Sequence, residues 1–185
     1  MNLASRQAEA ERQSPELAKV IVESADIVKQ VSGELRTMSY LLHPPLLDEM
    51  GLACALDWYI VGFGERSGIQ VNLQISGELG RLPGDLETAI FRVVQECLTN
   101  IHRHSGSPTA TVRLRRDSDG IRLEIEDEGK GIPAERLSQC VSSGTLGLGL
   151  RGMRARIRDF GGEMEIVSPE KGTCIKVTVP IAESA

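Results

Sequence analysis

Aromatic residues and long apolar runs are scarce in this chain of 185 residues. Aromatic side chains make up 3%, too few for the stacking platforms that bind single-stranded nucleic acid. No apolar run approaches the roughly 18 residues that predict a membrane span, and the polar N-terminal stretch does not resemble a signal peptide. A net charge of −5 also argues against general binding to phosphate backbones. We therefore expect a cytoplasmic domain without direct contact to nucleic acid or membrane, and a longer parent protein could still be membrane-anchored.

Cysteine and histidine are equally sparse. Cys54, Cys97, Cys140 and Cys174 are 43, 43 and 34 residues apart, with no CxxC pair. This spacing fits neither a zinc site nor the disulfide framework of a small secreted domain. Each cysteine has apolar neighbours in the sequence, so we expect reduced thiols that fill core space. The three histidines add few ligands for a structural metal site.

The helical region 1–45 carries an apolar seam. From Leu17 to Leu42 the seam positions recur at alternating steps of four and three, and Ser24 is its one polar member. His43-Pro44-Pro45 ends the helix, because proline lacks the backbone donor. We interpret this region as part of a helical hairpin that pairs into a dimer. The alternative is that the seam packs against the second domain of the same chain.

Residues 46–185 alternate between helical and strand periodicity. We predict helices over 51–66, 83–104 and about 148–160, and strands over 69–75, 111–115, 121–125, 163–167 and 173–179. Helices combined with mostly antiparallel hairpins indicate an α+β fold, a two-layer α/β sandwich.

Four polar residues of the long predicted helix could bind a nucleotide and its metal. Glu96, Asn100 and His104 are spaced i, i+4, i+8, with Arg103 beside them. An amide oxygen is a hard ligand for Mg²⁺, a carboxylate can orient a nucleophile, and cations balance phosphate charge. By itself such a stripe is more often a solvated helix face.

A carboxylate followed by two glycines ends the strand at 121–125. In Asp127-Glu128-Gly129-Lys130-Gly131, the glycines would let the backbone approach a flat ligand. The Asp127 carboxylate could then accept a hydrogen bond from an exocyclic amine. The alternative interpretation is an ordinary acidic turn.

The last glycine-rich segment, Gly144–Gly152, contains GxGxxG at 147–152. A dinucleotide fingerprint would have to follow a strand, but the polar, loop-like stretch 135–145 precedes it. We therefore predict a loop whose amides meet phosphates at the start of a helix near Leu148. We interpret the arginines that follow as a solvated face: Arg151, Arg154, Arg156 and Arg158.

Together, ECLTNIHRHS, DEGKGIP, GLGLRGMRARI and GTCIKVTVP resemble the ATP-binding domain of sensor histidine kinases, in the GHKL ATPase superfamily. They look most like the nitrate-sensor and DesK-like kinases, which serve response regulators with helix-turn-helix outputs. The resemblance runs from about Leu35 to Ile181 and includes the junction LLHPPLL before Gly51. It implies a GHKL (Bergerat) ATPase fold over 46–185.

The resemblance also implies a role for each site residue. Glu96 would be catalytic, by assisting the metal or orienting the attacking group, and Asn100 would hold Mg²⁺. Asp127 would read the adenine amino group, and Thr173 would support the base through its hydroxyl. Gly147–Gly149 would close a lid. The implied ATP-binding set is Asn100, Arg103, His104, Asp127, Gly129, Gly131, Gly147, Leu148, Gly149 and Thr173.

The implied reaction uses ATP and Mg²⁺ and transfers the γ-phosphate to a histidine on a dimerisation helix, then to a response regulator. The chain would form a homodimer through its N-terminal helices. The expected box of a phosphoacceptor His followed by Asp is absent from 1–45, so we expect a truncated dimerisation region there. Two alternatives remain: a non-catalytic dimerisation or regulatory nucleotide-binding module, and a GHKL serine kinase acting on an anti-sigma partner.

We predict that this chain, given ATP and Mg²⁺, binds nucleotide but forms no phosphohistidine. His43 is followed by two prolines that end the helix, and no acid neighbours it to accept the ring proton. His102 and His104 lie on the predicted pocket helix, where a phosphorylated ring would block the nucleotide. Incubation with radiolabelled ATP and analysis of acid and base stability tests this. Acid-labile, base-stable label on His43 would contradict it.

Overall fold

The computed structural model describes residues 19–28, 45–133, 135, 148–169 and 171–181. The chain divides into two compact units, residues 1–45 and 46–185. In the first unit, residues 19–28 form an α-helix (α1) on which Val20 and Ile27 are more than half exposed. Of the predicted apolar seam, Ile21, Ser24 and Val28 lie on this helix. The other members of the seam, and His43-Pro44 of its proline ending, lie outside the described residues.

The second unit is an α+β structure, as the sequence predicts. Its helices are α2 (Pro45–Ser67), α3 (Gly84–Asn100), which continues into a π-helical turn (Ile101–Ser105), and α4 (Leu148–Arg158). Its strands are β1 (Gln70–Ser76), β2 (Thr109–Asp117), β3 (Gly120–Asp127), β4 (Glu163–Val167) and β5 (Thr173–Val179). They form one sheet in the order β1-β2-β3-β5-β4, in which β1 and β2 are parallel and the other pairs antiparallel.

The core lies between one face of this sheet and the helices. Alternate residues of β3, Ile121, Leu123 and Ile125, are at most 1% exposed. They join one apolar cluster with residues of the helices, among them Ile90 and Leu98 of α3. The opposite face of the sheet is polar and carries exposed ion pairs such as Arg113 with Glu126 at 2.8 Å. This alternation is the pattern of a sheet that is covered on one side.

A buried carboxylate organises the segment before α3. Glu87 is fully buried, and its Oε1 accepts the main-chain N–H of Leu82 at 3.0 Å. Its Oε2 accepts Arg81 Nη2 at 3.3 Å, and the Arg81 guanidinium also donates to the carbonyl oxygens of Leu47 and Asp48. Glu87 therefore links the start of α3, through Arg81, to the first turn of α2.

The helices differ from the sequence prediction in two places. α2 begins at Pro45 rather than residue 51, and it is kinked at Gly51, whose φ of 79° and ψ of 176° are not helical. The helix predicted over 83–104 is α-helical only to Asn100 and then changes to the wider π pattern. Hydrophobic periodicity does not distinguish these cases, because a kink and a π turn both preserve an apolar face.

The prediction that the cysteines fill core space is only partly right. Cys97 is buried, Cys174 is half-buried and Cys54 is exposed, all with free thiols. Cys54 was assigned wrongly because its apolar neighbours Leu52 and Ala55 point inward, whereas its own position on α2 faces outward. Cys140 lies outside the described residues. Among those residues, no helix has both the length and the apolar character needed to cross a bilayer.

We predict that Glu87→Ala lowers the free energy of unfolding by about 1–3 kcal/mol, since it leaves the Leu82 N–H buried without an acceptor. Arg122→Ala is the matched control. It removes exposed ion pairs with Asp117 at 3.2 Å and Asp119 at 3.3 Å, which should contribute at most about 1 kcal/mol. Chemical denaturation measures both variants. Equal losses would contradict the role assigned to Glu87.

Candidate functional site

The predicted site residues lie on four neighbouring pieces of the second unit. These are the end of α3 with its π turn, the loop after β3, the start of α4 and the start of β5. Contacts connect them: the Lys130 amide donates to the Ser105 carbonyl at 3.0 Å, and Asp127 pairs with Thr173 across β3 and β5. Segments far apart in the sequence thus surround one location.

The π turn presents three basic side chains. Its ends, Ile101 and Ser105, are buried, whereas His102, Arg103 and His104 between them are exposed. Because a π turn holds an extra residue, His104 is not in α-helical register above Asn100, contrary to the predicted i, i+4, i+8 stripe. Arg103 and His104 make no ion pair within the described part of the chain and remain free to meet an anion. His102 instead packs edge-on against Phe63, with 6.3 Å between ring centroids.

Glu96 and Asn100 are adjacent and half-buried. The Asn100 side-chain N–H donates to Glu96 Oε1 at 3.4 Å, which leaves the Asn100 amide oxygen as an acceptor. A hard cation such as Mg²⁺ fits this oxygen. No group of three or more His, Cys, Asp or Glu side chains in the described ranges could hold a metal ion. A metal ion bound to Asn100 would therefore take its other ligands from the phosphate oxygens of the substrate and from water, as Mg²⁺ usually does.

The start of α4 packs directly on Glu96. The helix begins at Leu148, as predicted, and a Cβ atom added to Gly149 would overlap the Glu96 carboxylate. One turn further, Met153 Sδ contacts the buried Cys97 Sγ at 3.7 Å. Gly149 therefore serves close packing on α3. Gly147 and the side chain of Leu148 lie outside the described residues, so the lid predicted over Gly147–Gly149 stays a prediction.

Asp127 is a nearly buried carboxylate at the end of β3, only 6% exposed. Burial raises its pKa, while hydrogen bonds from the main-chain N–H groups of Gly129 and Thr173 lower it and the charge of Glu126 raises it. The Gly129 N–H donates to Oδ1 at 2.8 Å. Thr173 faces Asp127 across β3 and β5, and its main-chain N–H lowers the pKa of that carboxyl. The role predicted for the Thr173 hydroxyl, which is support of the base, stays a prediction. A desolvated carboxylate with a raised pKa is typical of a binding site.

Glycines let the loop 127–131 fit between its neighbours. A Cβ at Gly129 would lie 2.7 Å from Ser105 Cβ, and Gly131 has a φ of 70° with no space for a side chain beside Ser168. The Gly172 N–H donates to the Gly129 carbonyl at 2.7 Å. Both predicted glycines are therefore required by close contact.

Sequence reasoning missed the residues that hold this loop from outside. Ser107, Ser168 and Gly172 bond or contact it, and none of them belongs to the predicted set. The Ser-Gly-Ser step at 105–107 directly after a predicted helix carries a signal, because serine and glycine commonly end helices. Ser168 has no comparable signal, since its contact depends on tertiary structure.

Comparison with known proteins identifies similar chains. Residues 85–183 match the family described as histidine kinase-, DNA gyrase B- and HSP90-like ATPases. The sensor histidine kinase MctS of Rhizobium johnstonii is 36% identical over 147 residues, which are 80% of this chain and 31% of MctS. The sensor histidine kinase NarS of Mycobacterium tuberculosis is 30% identical over 154 residues, or 83% of this chain and 35% of NarS. The chain thus spans about a third of the length of these curated relatives.

A solved structure shares the fold. The histidine kinase domain of the blue-light activated histidine kinase EL346 from Erythrobacter litoralis matches with a TM-score of 0.62 at 23% identity. The match covers 96% of this chain and 92% of that domain. At this identity the likeness concerns the fold alone.

We predict that Gly149→Ala weakens nucleotide binding about tenfold or more, because the added methyl group displaces Glu96 or tilts α4. Gly152→Ala is the control from the same helix, since nothing lies within 4 Å of its added Cβ. It should raise the free energy of unfolding by about 0.5–1 kcal/mol through helix propensity and keep its affinity. Calorimetric titration with MgATP and thermal unfolding measure both. Equal effects of the two variants would contradict the Gly149–Glu96 contact.

Proposed function

Since the chain belongs to the histidine kinase-, DNA gyrase B- and HSP90-like ATPase family, as the ATP-binding domain of a sensor histidine kinase, we propose that residues 46–185 bind MgATP and present its γ-phosphate to an acceptor histidine. That histidine would lie on a dimerisation helix, to whose dimerisation region we assign residues 1–45. The phosphoryl group would then pass to a response regulator.

The observation that carries this proposal is the Asp127 carboxylate. It is almost buried, accepts the Gly129 N–H at 2.8 Å and belongs to the last residue pair that β3 shares with β5, Asp127 with Thr173. Burying a charge is unfavourable unless it has hydrogen-bonding partners, and a bound ligand can supply one of them. An adenine 6-amino group is such a partner, since it donates the hydrogen bond that the carboxylate accepts.

The other site residues suit the phosphate end of the ligand. Arg103 and His104 are exposed polar side chains on the π turn, which begins directly after Asn100. Asn100 offers an amide oxygen to Mg²⁺, and the ion when bound would neutralise phosphate charge. Phosphoryl transfer depends mainly on positioning and charge stabilisation, so this set is chemically sufficient once an acceptor is delivered.

Glu96 has the position of a group that acts on the incoming nucleophile. In the transfer, a bond forms between the acceptor imidazole nitrogen and the γ-phosphorus, the bond to the bridging oxygen breaks, and ADP leaves. The imidazole must also lose its N–H proton. Glu96 is half-buried beside Asn100 and against Gly149, where its carboxylate can orient the imidazole or accept that proton.

We propose a homodimer formed through the N-terminal helices and a response regulator with a helix-turn-helix output as the downstream partner. Both proposals rest on the resemblance of the motifs to the nitrate-sensor and DesK-like kinases, and the relatives named as sensor histidine kinases support the coarser assignment to two-component signalling. The apolar surface of α1, with Ile27 62% exposed and Val28 63% exposed, supports pairing with another helix.

Nucleotide titration followed by phosphotransfer tests the proposed function. The chain should bind MgATP, and a dimerisation-helix segment with a His-Asp pair, fused upstream of residue 1, should become phosphorylated with acid-labile, base-stable label. Absence of ATP binding would overturn the proposal. Binding without transfer in the fused chain would instead support a regulatory nucleotide-binding module, and label on serine of a partner would support a serine kinase.

We predict that the chain prefers ATP to GTP by about tenfold or more, because guanine places a carbonyl where adenine has its amine and leaves the Asp127 carboxylate unpaired. Asp127→Asn should remove most of this preference. Since burial raises the folded-state pKa above the ordinary 3.8, the ionised carboxylate destabilises the folded state at neutral pH. The variant should therefore keep or slightly raise its melting temperature at pH 7.

The same direction of pKa shift predicts a pH dependence of binding. As pH falls towards the raised pKa of Asp127, protonation removes the acceptor, and ATP affinity should fall while Asp127→Asn shows a flatter profile. Competitive titrations of ATP and GTP from pH 8 to pH 4.5 measure both effects. Equal ATP and GTP affinities in the wild type would contradict the assignment of Asp127.

A further inference from the structure

Two helices of this protein end in the same way. At the end of α2, the Ser67 hydroxyl donates to the Phe63 carbonyl at 2.8 Å and accepts the Ile69 N–H at 3.2 Å. At the end of the π turn, the Ser105 hydroxyl donates to the Ile101 carbonyl at 2.9 Å and accepts the Ser107 N–H at 2.9 Å. A glycine with positive φ follows each serine. This arrangement is a local device for ending a helix.

The second ending differs because Ser107 contributes another hydroxyl. Ser107 is 5% exposed, and its Oγ donates to the Thr109 carbonyl at 2.7 Å. The same oxygen accepts the Glu128 N–H, 21 residues further along the chain, at 3.2 Å. It therefore connects the end of the pocket helix to the loop 127–131. In the corresponding place after Ser67 the chain has Ile69, which has no hydroxyl.

A second serine holds the other end of the loop. The half-buried Ser168, just after β4, accepts the Ile132 N–H at 2.7 Å through its hydroxyl oxygen. The hydroxyl donates to the Gly172 carbonyl at 2.9 Å. Gly172 in turn donates its N–H to the Gly129 carbonyl at 2.7 Å. The turn between β4 and β5 thus contacts the loop through Ser168 and Gly172.

We propose that Ser107 and Ser168 are positioning residues that fix the Asp127 carboxylate relative to the phosphate-facing residues on α3 and the π turn. This inference rests on the proposed function and extends it to residues that need not touch the nucleotide. Ser107 ties the loop to the helix that carries Asn100, and Ser168 ties it to the turn that precedes Thr173.

The physical reason lies in where the loop amides point. The Gly129 N–H donates to Asp127 Oδ1 and so helps to orient the carboxylate. The N–H groups on either side of it, those of Glu128 and Lys130, donate to the Ser107 hydroxyl and the Ser105 carbonyl at the end of the π turn. Without the Ser107 hydroxyl, the Glu128 N–H loses this acceptor, and the loop is free to move away from the end of the π turn. Such a movement changes the direction in which Asp127 presents its free acceptor without removing the residue.

Hydrogen exchange of the unliganded protein tests the positioning directly. Amide exchange is followed by NMR in the wild type, Ser107→Ala, Ser168→Ala and the control Ser67→Ala. Ser107→Ala should accelerate exchange of the Glu128 amide roughly tenfold or more, and Ser168→Ala should do the same for Ile132, as expected when a hydrogen bond is lost. Both variants should also accelerate exchange at Gly129. Ser67→Ala should accelerate Ile69 and leave Gly129 unchanged.

Nucleotide selectivity separates positioning from general destabilisation. Ser107→Ala and Ser168→Ala should each lower the ratio of MgATP to MgGTP affinity about threefold to tenfold. Ser67→Ala removes the same type of hydroxyl contacts and should lower the melting temperature without changing this ratio. Asp127→Asn, which should remove most of the preference for ATP, provides the reference for lost base discrimination.

The outcomes distinguish this inference from the proposed function. If the wild type prefers ATP but neither serine variant changes Gly129 exchange or the ATP/GTP ratio, the positioning role is wrong and the proposed function stands. If the wild type shows no ATP preference, the proposed function fails, and the exchange data still decide whether the serines fix the loop. Should Ser107→Ala not fold, Ser168→Ala gives the same test, and an unprotected Glu128 amide in the wild type overturns the role of Ser107.

Discussion

The site depends on one constraint, which is that a charged carboxylate has to be kept almost out of water at the end of a central strand. Asp127 is 6% exposed, and burial raises its pKa. Two main-chain N–H groups, those of Gly129 and Thr173, offset part of this desolvation. These N–H groups reach the Asp127 carboxylate only because β5 starts opposite Asp127 and the loop reverses direction directly after it. The pairing of β3 with β5 and the glycines of the loop both meet this requirement.

Close packing around this carboxylate explains why glycine occupies so many positions. A Cβ at Gly172 would overlap the Asp127 carbonyl, and one at Gly129 would press on Ser105. At the start of α4, a Cβ at Gly149 would overlap the Glu96 carboxylate of α3. Glycine therefore makes room for the main chain of β3 at Gly172, for Ser105 of the π turn at Gly129 and for the Glu96 carboxylate at Gly149. The side chains that we propose to face the ligand are few: Glu96 and Asn100 on α3, Arg103 and His104 on the π turn, and Asp127.

The sequence predicts the fold well where periodicity decides the structure. The bounds of β4 and β5 agree with the structure to the residue, and α4 begins at the predicted Leu148. Periodicity fails where backbone geometry changes without altering the apolar face, as at the Gly51 kink and at the π turn after Asn100. The π turn matters for function, because it moves His104 out of register with Asn100.

The site residues were found through motif order rather than through local pattern. Asp127, Gly129 and Asn100 could be named because their motifs occur in the expected sequence, and the structure brings them close. The supporting contacts could not be named, since Ser168 lies 36 residues from its partner Ile132 and only the β4–β5 turn brings them together. The main-chain contact of Thr173 with Asp127 could not be named for a related reason, since every residue but proline has a main-chain N–H and only the pairing of β3 with β5 places this one.

A crystal structure of the chain with Mg²⁺ and a non-hydrolysable ATP analogue tests the central claim most directly. The account predicts the adenine 6-amino group within hydrogen-bond distance of an Asp127 carboxylate oxygen, the metal ion on the Asn100 amide oxygen, and the Gly129 N–H still bonded to Asp127. An analogue whose base lies away from Asp127, with its triphosphate also away from the π turn, would contradict it.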